Sequence, residues 1–179
     1  MMADNLFPED VLDDEEYNED EENEGTEEES EDNEEGAGYV ESIFFDFASG
    51  DFVRSHDGSF QVATGFEAWA QWCQKTLMTQ RYTHEAYSTD FGVDYEGAFE
   101  SDNIAETKSI LVREIEEALL ADPSGRTMSV GNIEFETEAD NCCITVNVQG
   151  IDGDIEIDVN VQGIDGNAVI TSELRKEVA

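Results

Sequence analysis

The stretch that decides the fold is NCCITVNVQGIDGDIEIDVNVQGIDGNAVITS, residues 141–172, in which the octapeptide VNVQGIDG occurs twice. The copies begin at Val146 and Val159, and apolar residues alternate with polar residues around both. Such alternation is typical of β-strands with one buried face, and an Asp-Gly pair favours a two-residue hairpin turn. The repeat therefore predicts an antiparallel meander, because each copy supplies a strand followed by a turn.

The first hairpin of this meander has a register that follows from its turn. A turn centred on Asp152-Gly153 pairs Val148 with Ile157 across the two strands. The same register forms two further apolar pairs, Val146 with Val159 and Ile144 with Val161. Because side chains alternate between the faces of a strand, these apolar residues share one face, which we predict to be buried.

The second hairpin predicts which strand lies outermost. A turn centred on Asp165-Gly166 pairs Val161 with Ile170, and few residues follow to cover the outer side of the last strand. An uncovered strand edge is a template for an added strand. Acids beside it, such as Glu173, either guard against aggregation or select a basic partner strand, and the sequence leaves both readings open. The expected partner-binding residues are Ala168, Val169, Ile170, Thr171 and Ser172.

Charge divides the chain into two parts. The net charge is −38, from 46 acids and 8 bases, and residues 1–35 alone hold 19 acids and no base. Such a segment has too few apolar groups to form a core, so we predict a low-complexity acidic arm over residues 1–38 that is disordered or held by a partner. Residues 39–179 form the predicted domain. One apolar cluster in the arm is either a docking motif or an unremarkable start: Leu6, Phe7, Val11 and Leu12.

The negative charge narrows the classes of partner. It repels nucleic-acid phosphates and anionic membranes, so we expect no direct nucleic-acid or membrane binding, and basic protein surfaces are the natural partners. No apolar run reaches the length of a membrane-spanning helix. One function consistent with this composition is a free acidic binding protein, such as an inhibitor or a nucleic-acid mimic.

Helical periodicity predicts two helices, at residues 64–80 and 102–121. Thr64 and Glu67 have capping-box spacing at the first, and Pro123 ends the second. Their apolar stripes comprise Phe66, Trp69, Ala70, Cys73 and Leu77 in the first, and Ile104, Leu111, Ile115, Ala118 and Leu119 in the second. Residues 44–64 predict a hairpin that turns near His56-Asp57-Gly58, and residues 81–101 an ordered loop. The predicted fold class is α+β, with two helices packed on a mainly antiparallel sheet that ends in the β-meander.

The sequence predicts no catalytic residue, no metal site and no cofactor. Glu85, Asp90, Asp94 and Glu96 lie in an aromatic segment, but carboxylates are so common in this chain that such a set is weak support for a glycosidase. Cys142 and Cys143 are adjacent on a strand and so point to opposite faces. The histidines and cysteines lack the spacing of a compact zinc site. We therefore expect a protein that is not an enzyme.

Two runs of the sequence resemble a known family. They are FEAWAQWCQKTLMTQRYTHEAYSTDFGVDYE, residues 66–96, and IAETKSILVREIEEALLADPSGRTMSVGNIEFE, residues 104–136. The matching pieces are Lys75-Thr76-Leu77, Thr79-Gln80-Arg81, Tyr87 to Gly92, and Leu119 to Pro123, each at the end of a helix or just after one. Over residues 40–172 the chain is similar to baseplate proteins of PBSX-type prophages and other contractile-tail phages, which are related to the lysozyme-like baseplate wedge family of sheath initiators.

This resemblance implies a structural role in the virion, at the tail baseplate, after assembly in the host cytoplasm. A sheath initiator resembles the C-terminal domain of the sheath subunit and offers a sheet edge to extensions of the first sheath ring. The implied partners are tail sheath subunits, baseplate wedge proteins and the tail tube, with several copies of the chain around a ring. The word lysozyme in the family name implies no hydrolysis.

The resemblance also implies a baseplate-binding set, with one departure. The family has Glu-Pro-Arg after its second helix, whereas this chain has Asp122-Pro123-Ser124-Gly125-Arg126, which moves the arginine two positions along. If Arg126 fills the same role, the loop must have a different shape. The implied contact residues are Arg81, Asp122, Pro123 and Arg126.

Overall fold

The computed structural model describes residues 40–138, 141–162 and 169–176, and these form an α+β fold. Three helices and a four-stranded antiparallel sheet in the order β5-β6-β7-β8 account for most of it, which confirms the predicted fold class and the C-terminal meander. The elements in chain order are β1 Ser42–Ile43, β2 Phe45–Asp46, β3 Asp51–Phe52, β4 Val62–Ala63, α1 Gly65–Met78, α2 Tyr95–Phe99, α3 Ile104–Leu120, β5 Thr127–Glu138, β6 Asn141–Gly150, β7 Gly153–Gln162 and β8 Val169–Lys176.

The register predicted for the first hairpin is wrong by two residues. Gly150 pairs with Gly153, so the turn consists of Ile151 and Asp152, and Val148 pairs with Ile155. The reason lies in the packing of α1. A Cβ added to Gly150 would lie 2.4 Å from a ring carbon of Trp69, and one added to Gly153 would lie 3.2 Å from a ring carbon of Phe66. Both glycines are therefore needed where the aromatic side chains cross the strand ends, and not in the centre of the turn.

The register predicted for the second hairpin is confirmed. Val161 pairs with Ile170, and Ile157 pairs with Leu174. The predicted turn at Asp165-Gly166 lies outside the described residues. A shift of two residues leaves every side chain on its original face, so the apolar face of β6 and β7 is also as predicted. The buried residues on that face are Ile144, Val146, Val148, Ile155, Ile157, Val159 and Val161.

The helices cover this apolar face. From the predicted stripes, Trp69, Cys73 and Leu77 of α1 are buried, as are Leu111, Ile115, Ala118 and Leu119 of α3. The prediction was wrong for Ile104, which is 71% exposed because it is the first residue of α3 and no helical turn precedes it. Asn103 caps α3 by accepting a hydrogen bond from the Ala105 backbone N–H, whereas the Thr64 side chain makes no cap at α1.

Residues 81–101 are more structured than the predicted loop. They contain α2, which Asp94 caps by accepting a hydrogen bond from the Gly97 N–H. Tyr95 is fully buried, and its hydroxyl donates to the Leu77 carbonyl at 2.7 Å. This tyrosine therefore ties the segment to the end of α1, although a five-residue helix is too short for its periodicity to be detected in the sequence.

The first strands form a small aromatic hairpin. Its turn at residues 55–58 is confirmed, since the Gly58 N–H donates to the Ser55 carbonyl. A second turn at residues 47–50, which the sequence analysis missed, joins β2 to β3 and is closed by the Gly50 N–H, which donates to the Asp46 carbonyl. As a result β2 pairs with β3, and β1 pairs with β4. Gln71 of α1 holds the hairpin by accepting from the Phe45 N–H and donating to the Ile43 carbonyl.

Candidate functional site

Strand β8 is the outermost strand of the sheet on the side opposite β5. It pairs regularly with β7 from Gln162–Val169 to Ile155–Lys176, and no described strand is hydrogen-bonded to its other side. The predicted edge residues Val169, Ile170, Thr171 and Ser172 all lie on it, while Ala168 lies outside the described residues. β8 extends four residues beyond the predicted end, which lengthens the open edge.

Alternation of backbone hydrogen bonds decides which amide groups of β8 point outward. Gly150 and Gly153 close a two-residue turn and therefore form a hydrogen-bonded pair. Every second residue of β7 from Gly153 then bonds to β6, and the residues between them bond to β8. The turn agrees with this alternation. The N–H of Ile151, the residue after Gly150, points toward β5 and donates to the Arg126 carbonyl at 3.0 Å.

Carrying this alternation across to β8 divides its residues into two sets. Thr171 pairs with Asn160 and so directs its N–H and carbonyl to β7. The neighbouring residues Ile170, Ser172 and Leu174 direct theirs away from the sheet. Between residues 170 and 174 the free edge therefore offers three backbone donors and three backbone acceptors.

The side chains of β8 alternate between the helix side and the opposite face of the sheet. Ile170 and Leu174 pack against the core, and Ser172 between them contacts α1, with Gln74 Nε2 at 3.4 Å and Met78 Sδ at 2.9 Å. Val169, by contrast, is 59% exposed on the opposite face. The residues whose amides point outward thus have side chains fixed on the helix side, which holds the edge in a defined orientation.

An open groove lies between β8 and the aromatic hairpin, and we name it the edge groove. One wall consists of residues 44–48, the other of residues 171–174, and Gln74 and Asn160 complete the lining. The run IFFDF, residues 43–47, signals aromatic surface in the predicted hairpin, but nothing in the sequence places this surface beside the meander.

Two carboxylates on the walls of the edge groove have no ion-pair partner among the described residues. Asp46 lies on the hairpin wall and Glu173 on β8, and no lysine or arginine lines the groove. A hydrogen bond from the Ser49 hydroxyl, at 2.7 Å, lowers the pKa of Asp46. Arg175, the nearest base along β8, bonds instead to Glu156 and Asp158 of β7. The groove is therefore negatively charged and complementary to a basic ligand.

Arg81, one of the residues implied by the resemblance, is used inside the fold. It is 6% exposed, its Nε donates to the Gly92 carbonyl at 2.9 Å, and its Nη1 lies 2.7 Å from Glu114 of α3. Gly92 is required at this contact, since an added Cβ would lie 2.6 Å from the Thr79 carbonyl oxygen. Arg81 therefore joins the segment after α1 to α3, and its role toward a partner stays a prediction.

The loop after α3 is organised around Asp122. Both carboxylate oxygens of Asp122 accept hydrogen bonds, from the backbone and hydroxyl of Ser124, the backbone of Arg126, and the backbone and hydroxyl of Thr127. The Arg126 guanidinium forms an ion pair with Asp152 in the β6–β7 turn. Pro123 is exposed. Of this implied set, Pro123 is the residue most accessible to a partner, and baseplate binding by the set stays a prediction.

The remaining residues singled out in the sequence have varied positions. The arm cluster Leu6, Phe7, Val11 and Leu12 lies outside the described residues. Glu85, Asp90 and Glu96 are exposed, and Asp94 is occupied as the cap of α2. Cys142 faces the core, while Cys143 lies on the other face, as predicted. Burial raises the pKa of the Cys143 thiol, and Asp158 and Glu136 raise it further.

The described part of the chain contains neither a cluster of metal-binding side chains nor a membrane-spanning helix. No three His, Cys, Asp or Glu side chains within residues 40–138, 141–162 and 169–176 lie close enough to hold a metal ion. Within the same ranges, no helix is both long and apolar enough to cross a membrane.

Comparison with known proteins identifies the relatives of this fold. The family model for the contractile injection system sheath initiator matches residues 41–153, which is more than half of the chain. The match covers the aromatic hairpin, all three helices, β5, β6 and the β6–β7 turn. No curated protein matches the chain significantly.

Proposed function

Because this chain belongs to the contractile injection system sheath initiator family, we propose that its β8 edge is where sheath assembly begins. The family gives the chain a structural role in a contractile tail particle, in contact with sheath and tail components. In our proposal, an extension of a first-ring sheath subunit adds to β8 as a further strand. The observation that carries this proposal is the row of outward backbone groups at Ile170, Ser172 and Leu174.

Strand addition at this edge has favourable energetics. Each backbone hydrogen bond contributes about 1 kcal/mol net, so three outward donors and three acceptors give a few kcal/mol before any side chain contributes. Because β8 is already held by β7 and by α1, the edge loses little conformational entropy when the partner binds. Several copies of the chain around the tail would offer such edges in a ring and start the first sheath ring.

The acidic arm has a separate proposed role. We expect residues 1–38 to bind a basic surface of a baseplate wedge protein or the tail tube, because their 19 acids up to residue 35 attract bases over a long range. We propose that residues 39–179 make up the folded domain. Deleting residues 1–38 should leave the thermal midpoint unchanged and weaken particle association most at low salt, where screening is least. A collapse of the midpoint on deletion would show that the arm belongs to the core.

Membership in a structural family also favours the tail role over a free acidic inhibitor or an enzyme. We propose that the purified chain has no activity on peptidoglycan, since the open pocket beside Glu85 is lined by no second carboxylate, Asp90 included, to complete an acid pair. The assay is release of soluble fragments from cell walls. Reproducible muramidase activity that disappears in Glu85→Gln or Asp90→Asn would contradict this.

Proline scanning of β8 tests strand addition. Ser172→Pro removes an outward N–H, so we expect it to fold and to abolish sheath nucleation in particles seen by electron microscopy. Ser172→Ala is the matched control: it loses the same contacts to Gln74 and Met78, keeps the N–H, and should nucleate sheath. Full-length sheath on particles that carry a correctly folded Ser172→Pro protein would rule out β8 as the docking edge.

A further inference from the structure

The edge groove has features that select the side chains of an added strand, and this inference rests on the proposed docking at β8. We infer that the edge groove accepts an extended segment that alternates apolar residues, directed to the helix side, with basic residues, directed to the opposite face. Backbone pairing alone would accept many sequences, so the walls of the groove must provide the selectivity.

The helix side of the groove requires apolar side chains. A strand added to β8 places alternate side chains beside Ile170, Ser172 and Leu174, on the face that carries the helices. The hairpin wall, residues 44–48, lies along that side and includes Phe45 and Phe47, whose rings contact each other at 5.1 Å between centroids. A polar side chain directed there would lose water without gaining a partner from these rings.

The opposite face requires basic side chains. Across β7 and β8 that face carries Asp154, Glu156, Asp158 and Glu173, and Arg175 forms ion pairs with Glu156 and Asp158 that offset one of these charges. Glu173 of β8 is left without an ion pair among the described residues, and Asp46 on the hairpin wall adds unpaired negative charge to the groove without lying on this face. A lysine or arginine of the incoming strand beside Glu173 supplies the missing charge.

Glu173 does not exclude every incoming strand from the β8 edge, because its effect depends on the charge of that strand. A charge on an edge strand prevents pairing with strands of the same sign and with apolar strands. Placed beside an apolar wall, it excludes acidic strands, including those of other copies of this acidic chain. The same residue therefore protects against self-association and admits a basic partner.

Designed peptides of the same length as β8 provide the test with the full-length protein. The probe alternates valine with lysine; the comparison peptides contain the same residues in two blocks, or alternate valine with glutamate. We expect the alternating lysine peptide to bind about tenfold more tightly than the block peptide, because only alternation satisfies both faces. Its binding should also slow hydrogen exchange at the backbone amides of Ser172 and Leu174.

Matched double variants separate the groove from the overall charge. Asp46→Asn with Glu173→Gln should weaken the alternating lysine peptide about fivefold at low salt. The control, Asp57→Asn with Glu136→Gln, removes the same charge elsewhere. Asp57 bonds to Ser59 as Asp46 does to Ser49, and Glu136 lies on the same sheet face at the opposite edge strand, so we expect less than about a twofold change.

The outcomes distinguish this inference from the proposed function. Equal weakening in both double variants, equal binding of all peptides, or no binding would overturn the selectivity even if Ser172→Pro still abolishes sheath nucleation. If Ser172→Pro leaves nucleation intact, the docking at β8 fails and the selectivity fails with it. Selective binding together with loss of nucleation in Ser172→Pro supports both.

Discussion

The two edge strands of the sheet, β5 and β8, differ in how regular and how constrained they are. β5 shifts register twice against β6, once near Met128 and once at Gly131–Asn132, and Asp122 holds its first residue through the Thr127 N–H. β8 pairs with β7 without a shift, and a groove accompanies its outer side. Bulges prevent strand addition at exposed edges. The difference supports the proposal that a partner strand adds at β8 and not at β5.

The largest expected effect concerns the loop that constrains β5. Asp122→Ala removes the acceptor for donors on Ser124, Arg126 and Thr127, and the backbone groups it leaves are partly buried. We expect a loss of about 3 kcal/mol in the free energy of unfolding, because hydrogen bonds to a charged acceptor are strong and these share one network. Urea denaturation measures this loss. A change below about 1 kcal/mol would show that the loop does not depend on the carboxylate.

An intermediate effect distinguishes the inner and outer sides of β8. Thr171→Pro removes an N–H that bonds to β7, so we expect a loss of about 2 kcal/mol in unfolding free energy. Ser172→Pro should cost clearly less, because its N–H points outward. Thermal unfolding of the two variants side by side makes the comparison. The reverse order of stability would show that the assignment of inward and outward amides is inverted.

A smaller effect tests the attachment of β5 to α3. Lys108 Nζ lies 5.5 Å from the centroid of the Phe135 ring. Replacing the charge while keeping the stem, in Lys108→Met, should cost about 0.5 kcal/mol, the usual contribution of a cation–π contact at a partly exposed site. Lys75→Met is a comparison variant, since Lys75 makes a similar contact with Tyr87 away from the sheet. If both variants are as stable as the parent, neither contact contributes measurably.

The smallest effect probes the outer face of the sheet between the two edges. Burial, Asp158 and Glu136 raise the pKa of Cys143, so less of the thiol is ionised at pH 8 than in an ordinary cysteine. Iodoacetamide should therefore alkylate it slowly, and faster as pH rises. Glu136→Gln removes one raising charge and should increase the rate at pH 8 about twofold, as expected from a small pKa decrease. Glu138→Gln serves as the control, and an equal increase there would point to bulk charge alone.

Much of the fold was predictable because it depends on local periodicity. The alternation around the VNVQGIDG repeat predicts three strands with one buried face, and the second register is correct to the residue. The first register failed because the sequence favours a turn at Asp152-Gly153, whereas the rings of Phe66 and Trp69 require glycine at the last strand positions. That preference belongs to a contact with a helix about 80 residues earlier in the chain, which no local pattern contains.

The candidate site was likewise predictable only in the part that depends on local sequence. An outermost strand could be predicted from the order of two hairpins, and the residues Val169 to Ser172 do lie on it. The edge groove could not, because its walls come from residues 44–48 and 171–174, which are distant in the sequence. The role of Arg81 inside the fold was equally hidden, since its partner Glu114 lies on another helix, 33 residues along the chain. The partners of Asp122 lie only a few residues away, but which of their donors meet its carboxylate depends on the folded shape of the loop.

The sequence by itself determined the α+β class, the division of charge between the arm and the rest of the chain, the meander and its apolar face. These follow from composition and from spacings of two or about four residues, which set side-chain direction whatever surrounds them. Only the tertiary structure decided which glycine lies under which ring, which amides of β8 remain outward, and that an aromatic wall stands beside them. These depend on how separate elements pack, and packing is fixed by the shapes of residues that meet only after the chain has folded.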